Sequence, residues 1–124
     1  MAAAMVDKDF ATVAELTHPK VVAQVGGAMA LAKRLDTAYA GLTVKSMKFA
    51  RPEQIQDVRG TLIGVFRFRE KILVRSQIVE VNSFYIGFAA GKSNWKFIDC
   101  DGVTQHYLAA LLPGYTSNLD LNGC

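Results

Sequence analysis

Histidine, cysteine, proline and tryptophan are all scarce in this chain of 124 residues, which carries two, two, three and one of them. The histidines, His18 and His106, have no second His, Cys or carboxylate at a ligand spacing such as i, i+4, so the pattern offers no metal site. Two cysteines, Cys100 and Cys124, make no disulfide framework and are not spaced as ligands. A reduced, intracellular and cytoplasmic protein is the expectation from them. There is no apolar run of about 18 residues, which excludes a membrane-spanning helix. Asp7, Lys8 and Asp9 break the N-terminal stretch too early for a secretory leader. The net charge of +3 is too small to argue for nucleic acid. There is no phosphate-binding glycine loop, because Gly87, Gly91 and Gly102 are spaced as strand and turn glycines; no cofactor is expected.

What is present is an ordinary globular composition, 51% apolar and 20% charged. A chain this long fits one domain and buries roughly two thirds of its unfolded surface, enough for a core without metal. No linker or repeat divides it, so residues 1–124 read as a single domain.

The first third has helical period. Asp7 or Asp9 caps a short helix to about Leu16, with Phe10, Val13 and Leu16 on one side. Pro19 suits the first turn of a second helix that ends at Gly26-Gly27. A third helix, about Ala28 to Ala40, carries an apolar stripe through Ala28, Leu31, Leu35 and Ala38 and stops at Gly41. From Thr43 the period becomes two. Val44–Ala50, Gln54–Val58, Thr61–Val74, Ile78–Ala90 and Trp95–Asp99 read as strands, with turns near Arg75-Ser76-Gln77 and at Gly91-Lys92-Ser93-Asn94. A last helix runs from about Val103 to Leu112, before Pro113-Gly114. Helices first, then an antiparallel meander, then one helix, is an α+β arrangement. It predicts a curved sheet whose concave face wraps the N-terminal helices.

Several stretches carry a resemblance: Leu16-Thr17-His18-Pro19-Lys20-Val21-Val22 with Gly26-Gly27, Ser83-Phe84-Tyr85-Ile86-Gly87-Phe88, Gly91-Lys92-Ser93-Asn94-Trp95-Lys96-Phe97-Ile98-Asp99, and Leu111-Leu112-Pro113-Gly114. With the element order, they make the chain resemble the cone-shaped nuclear transport factor 2-like superfamily, which also holds SnoaL-like and ketosteroid isomerase-like proteins, and within it an uncharacterised bacterial branch. The resemblance implies a pocket between helices and sheet, a homodimer formed through the sheet, and, in the enzymes of the group, acids, histidines and tyrosines inside the pocket. No such catalytic set maps onto this chain residue by residue.

Two groups of residues are candidates for chemistry. Asp36 and Tyr39 lie three apart on the third helix, and Trp95, Phe97 and Asp99 alternate on one strand beside Tyr85; Asp36, Tyr39, Tyr85, Trp95 and Asp99 are the pocket candidates for a small-molecule ligand. The plainer alternative is a surface Asp36, aromatic core residues and a turn-capping Asp99. Arg67, Arg69, Lys71 and Arg75 share one strand face and are candidates for gripping an anion. The plainer alternative is a solvated outer face. The expectations for function are thus a homodimeric binding protein without assignable catalysis, a small isomerase-, dehydratase- or cyclase-type enzyme, or an accessory protein that holds an anionic partner.

Overall fold

A computed structural model describes residues 1–91, 94–116 and 118–124. Among them the order is α1 (Ala2–Val6), α2 (Phe10–Glu15), α3 (Pro19–Gln24), α4 (Ala28–Ala38), β1 (Leu42–Phe49), β2 (Glu53–Val58), β3 (Thr61–Val74), β4 (Gln77–Ala90), β5 (Lys96–Asp99) and α5 (Gln105–Leu111). The class is α+β, as the change of period predicts. One helix lies outside the expected set. The run Ala2-Ala3-Ala4-Met5-Val6 forms α1, because alanine has the best helix propensity and Met5 and Ala4 find a core to enter. Of the two cap candidates for α2, Asp9 serves, accepting from the Thr12 backbone N–H; His18 caps α3, its Nδ1 accepting from the N–H of Lys20, the second residue of the helix.

All strand pairs are antiparallel, in the order β1-β3-β4-β5, with β2 also pairing β3 beyond the end of β1. β3 and β4 form a hairpin in register along its whole length, from Thr61 opposite Ala90 to Val74 opposite Gln77. Bulges between Val44 and Ser46 and between Glu53 and Gln56 bend the outer strands. The turn predicted at 91–94 contains Lys92 and Ser93, which lie outside the described residues.

The sheet separates two cores. Toward α1, α2 and α4 it presents Val44, Met47 and Phe68, packed on Ala4, Met5, Phe10 and Val13. On the other face Ile63, Val65, Phe84, Ile86 and Phe88 pack under Leu108 and Leu111 of α5 and under Tyr115 and Leu119 of the segment that follows. The predicted concave face is therefore only half of the story, because the C-terminal helix covers the opposite side. The free edge of β5 is closed by the link between α2 and α3: the His18 N–H donates to Phe97 O at 2.9 Å, and the Phe97 N–H donates to Leu16 O at 2.7 Å.

The cysteines correct the sequence reading. Cys100 and Cys124 are bonded to each other, with Cα atoms 5.8 Å apart. Spacing alone gives no reason to join them; the fold lays residues 118–124 back across the sheet, and this brings Cys124 to Cys100. With the thiols joined, the ground for expecting a reduced, cytoplasmic protein is gone.

Candidate functional site

Between the N-terminal helices and the sheet lies a cavity of about 200 Å³. Its walls are mostly apolar: Met5 from α1, Val13 from α2, Leu31 and Leu35 from α4, and Phe97 from β5. This explains why no residue of α4 is fully buried, although its stripe is clear in the sequence: Leu31 and Leu35 face a space instead of solid packing. The polar lining is Thr17, Tyr39, Tyr85 and Asp99. Thr17 is already committed, its hydroxyl donating to Val13 O at 2.7 Å. Tyr39, Tyr85 and Asp99 remain to meet a guest.

Strand register places the last two. Tyr85 on β4 pairs with Asp99 on β5, so both point to the helical side of the sheet. Tyr85 stacks on Phe68 at 4.9 Å between ring centres, and Tyr39 leans on Phe10 at 5.8 Å, which fixes both rings.

The electrostatics are those of a partly dry acidic site. Burial pushes the Asp99 carboxyl above its ordinary value, against the opposing effect of hydrogen bonds from the Cys100 and Asp101 backbone N–H groups. Asp99 is still reached by solvent, so it sits at the rim. Burial, with the nearby Glu70 and Asp99 charges, pushes the Tyr39 phenol up to about 12. The same causes push the Tyr85 phenol higher. Both phenols are therefore protonated donors at neutral pH.

Glu70 was not among the sequence candidates. It is 5% exposed on the helical face of β3, and its Oε2 is buried without a hydrogen-bond partner. Burial first and the Asp99 charge second push its carboxyl up. The signal that could have found it is plain afterwards: in Leu62, Gly64, Phe66, Phe68, Glu70, Ile72, Val74 it is the one charge on an apolar strand face.

The other candidates fall elsewhere. Asp36 is exposed on α4 and lines no part of the cavity. Trp95 stands edge-on to Phe66, 4.9 Å between ring centres. The two close over Gly87, where a Cβ would overlap the Phe66 ring and press on Trp95, so this aromatic group is packing. Arg67 holds residues 120–122: Nη1 donates to Asn122 O at 2.9 Å, the guanidinium pairs with Asp120 at 3.5 Å and Glu53 at 3.6 Å, and it lies over the Phe84 ring. Arg69 pairs with Glu80 at 3.2 Å. Lys71 is exposed beside them, and Arg75 belongs to the turn between β3 and β4. Among the described residues no three His, Cys, Asp or Glu side chains gather into a metal-binding group. No helix of the described chain is long and apolar enough to cross a membrane. A scan against protein-family models gives no match, and a search of curated proteins finds no relative.

Proposed function

We propose that this chain binds a small, largely apolar molecule carrying a hydrogen-bond acceptor, in the cavity between α4 and the sheet. The observation that carries the reading is the convergence of Tyr39, Tyr85 and Asp99 on a space otherwise lined by aliphatic and aromatic carbon. Volume sets the class of ligand. An apolar cavity of about 150 Å³ takes benzene, so about 200 Å³ takes one ring with a short substituent and rejects fused-ring systems. Charge sets the polarity. Two protonated phenols offer donors and the Asp99 carboxyl offers an acceptor that repels negative charge, which favours a ketone, ether or phenol over an anion.

The test is ligand-observed NMR with a panel of monocyclic ketones, phenols and carboxylates. Cyclic ketones and phenols should give transfer signals. Tyr85→Phe with Asp99→Ala should weaken them about tenfold, the loss of one net hydrogen bond. Leu35→Trp, which fills the space, should abolish them. Binding that survives Leu35→Trp would remove the cavity from the proposal.

A second reading has its own observation: two carboxyls with raised values, Asp99 and Glu70, lie near two phenols. A carboxylate whose pKa is raised is a stronger base than an ordinary one, and a phenol can donate to a developing oxyanion. That set would serve an isomerase- or dehydratase-type proton transfer on a small carbonyl compound. Exchange of the α-protons of a cyclic ketone into D2O, faster with the protein and slowed by Asp99→Asn, is the readout; equal rates for both proteins would leave binding alone. Kinship with the cone-shaped superfamily belongs to the same proposal and is supported by the helices-first order and the cavity. So does a homodimer through the sheet, supported by Ile78 and Val79, 56% and 44% exposed near the hairpin tip. Sedimentation of the wild type and of Ile78→Lys decides that point.

A further inference from the structure

The sheet face opposite the cavity carries a second hollow, and the chain itself fills part of it. Residues 118–124 run as a strap across β2 and β3. Leu119 is buried, the Asp120 N–H donates to Gln54 Oε1 at 2.8 Å, and Asn118 pairs with Gln56. Arg67 grips the strap through Asp120 and Asn122. Beside Arg67 lies an open groove of about 470 Å³ lined by Lys48, Arg67, Arg69 and Asn82, with Gly123 as one wall. At its end the strap is bonded, Cys124 to Cys100. Cys100 is buried on the strand side of that bond, while Cys124 is exposed.

We propose that the strap is a tethered occupant of one side of this groove, latched by the Cys100–Cys124 disulfide, and that reduction by a dithiol releases it, widening the groove and freeing Arg67 for a ligand bearing carboxylate or phosphate groups. The chemistry follows from exposure. A thiolate of the dithiol attacks the accessible Cys124 Sγ, forms a mixed disulfide and expels the Cys100 thiolate, which takes a proton. The second thiol of the reductant then attacks its own sulfur in the mixed disulfide and releases Cys124 as a thiol. Two electrons and two protons pass to the protein, and the dithiol leaves as a disulfide. Ser83 Oγ, 3.1 Å from Cys100 Sγ, is placed to donate a hydrogen bond to the departing thiolate.

What the strap does to Arg67 gives the groove its ligand. In the latched form Asp120 supplies a carboxylate and Asp120 and Asn122 supply carbonyls to the guanidinium. When the strap leaves, those acceptors leave with it; Arg67 keeps Glu53 on its Nε side, Arg69 keeps Glu80, and the Nη edge of Arg67 is freed toward the groove beside Lys48. The freed Nη edge of a planar fork, with the Lys48 ammonium beside it, recognises oxyanions. Phe49 and Phe68 also line the groove and supply apolar contact, while the cations beside them make charge the feature by which a ligand is read.

The test uses the full chain, oxidised and after treatment with dithiothreitol, followed by hydrogen exchange and by calorimetry with pyrophosphate and with citrate. Reduction should strip protection from the amides of Leu119, Asp120 and Asn122 and leave that of β3 intact. Both anions should then bind at least about tenfold more tightly than to the oxidised chain, since a tethered occupant competes at an effective concentration near the millimolar range. Preference for one anion identifies phosphate or carboxylate as the ligand chemistry. Arg67→Gln should abolish the gain, and Cys124→Ser should reproduce it without reductant. Unchanged strap protection on reduction would overturn the proposal, as would equal anion affinity in the two states. So would loss of β3 protection along with the strap, which would make the disulfide a staple of the whole fold.

Discussion

At the scale of single residues, the unusual feature is a carboxylate in the apolar layer. Glu70 has one oxygen with no partner, and an unsatisfied buried group costs about 1–3 kcal/mol. Replacing it by an apolar side chain of similar shape removes that cost, so Glu70→Met should raise stability by about that amount in urea unfolding at pH 7. The pH dependence has a definite sign. The folded value is raised above the ordinary 4.5, so in that interval the folded chain holds a proton the unfolded chain has lost. Stability therefore falls as pH rises from about 4.5 toward the folded value, and Glu70→Met should flatten that fall. A slope unchanged by the substitution would show that Glu70 titrates normally. The phenol of Tyr39 works in the same direction at high pH: raised from 10.0 to about 12, it should still be protonated when an ordinary tyrosine has ionised, and absorbance titration of Tyr39→Phe against the wild type isolates it. Glu70 was legible as the odd residue of its strand face. Its convergence with Tyr39, Tyr85 and Asp99 was not, because those groups come from four elements and meet only when β3, β4, β5 and α4 are stacked.

At the scale of elements, the β3–β4 hairpin is the clearest case. The period of two places its strands within a residue of their observed limits, and the turn between them contains no glycine. In the structure Arg75 and Ser76 both take positive φ, 49° and 67°, the two-residue primed turn that matches strand twist. Neither residue favours that region. The hairpin holds it because fourteen cross-strand pairs of register fix the ends of the turn. Arg75→Asn with Ser76→Gly should therefore stabilise the protein by about 0.5–1 kcal/mol, measured by chemical denaturation. A loss of stability would mean that Arg75 or Ser76 makes a contact worth more than the strain. The helix stripe on α4 teaches the converse point. Period shows which side of a helix is apolar, but whether that side meets side chains or a cavity depends on what stands opposite.

At the scale of the molecule, two cores share β3 and β4, so neither can melt alone. Leu108 is fully buried on the far side from the cavity. Leu108→Ala should cost about 2–5 kcal/mol and should unfold both sides together, with coincident far-ultraviolet and Trp95 fluorescence transitions. Separate transitions would show that the helical layer is an independent unit.

The amino-acid order alone determined the class of the fold, the strand limits, the caps and the apolar faces, because these follow from periods of two and 3.6 and from residues within a few positions of one another. It also named Tyr39, Tyr85 and Asp99, without the means to bring them together. Only tertiary structure decided that Asp36 and Trp95 stay apart from them, that Arg67 is occupied by the strap, and that Cys100 meets Cys124 across 24 residues. Such meetings depend on how the sheet folds the chain back on itself, and distance along the sequence carries no record of that.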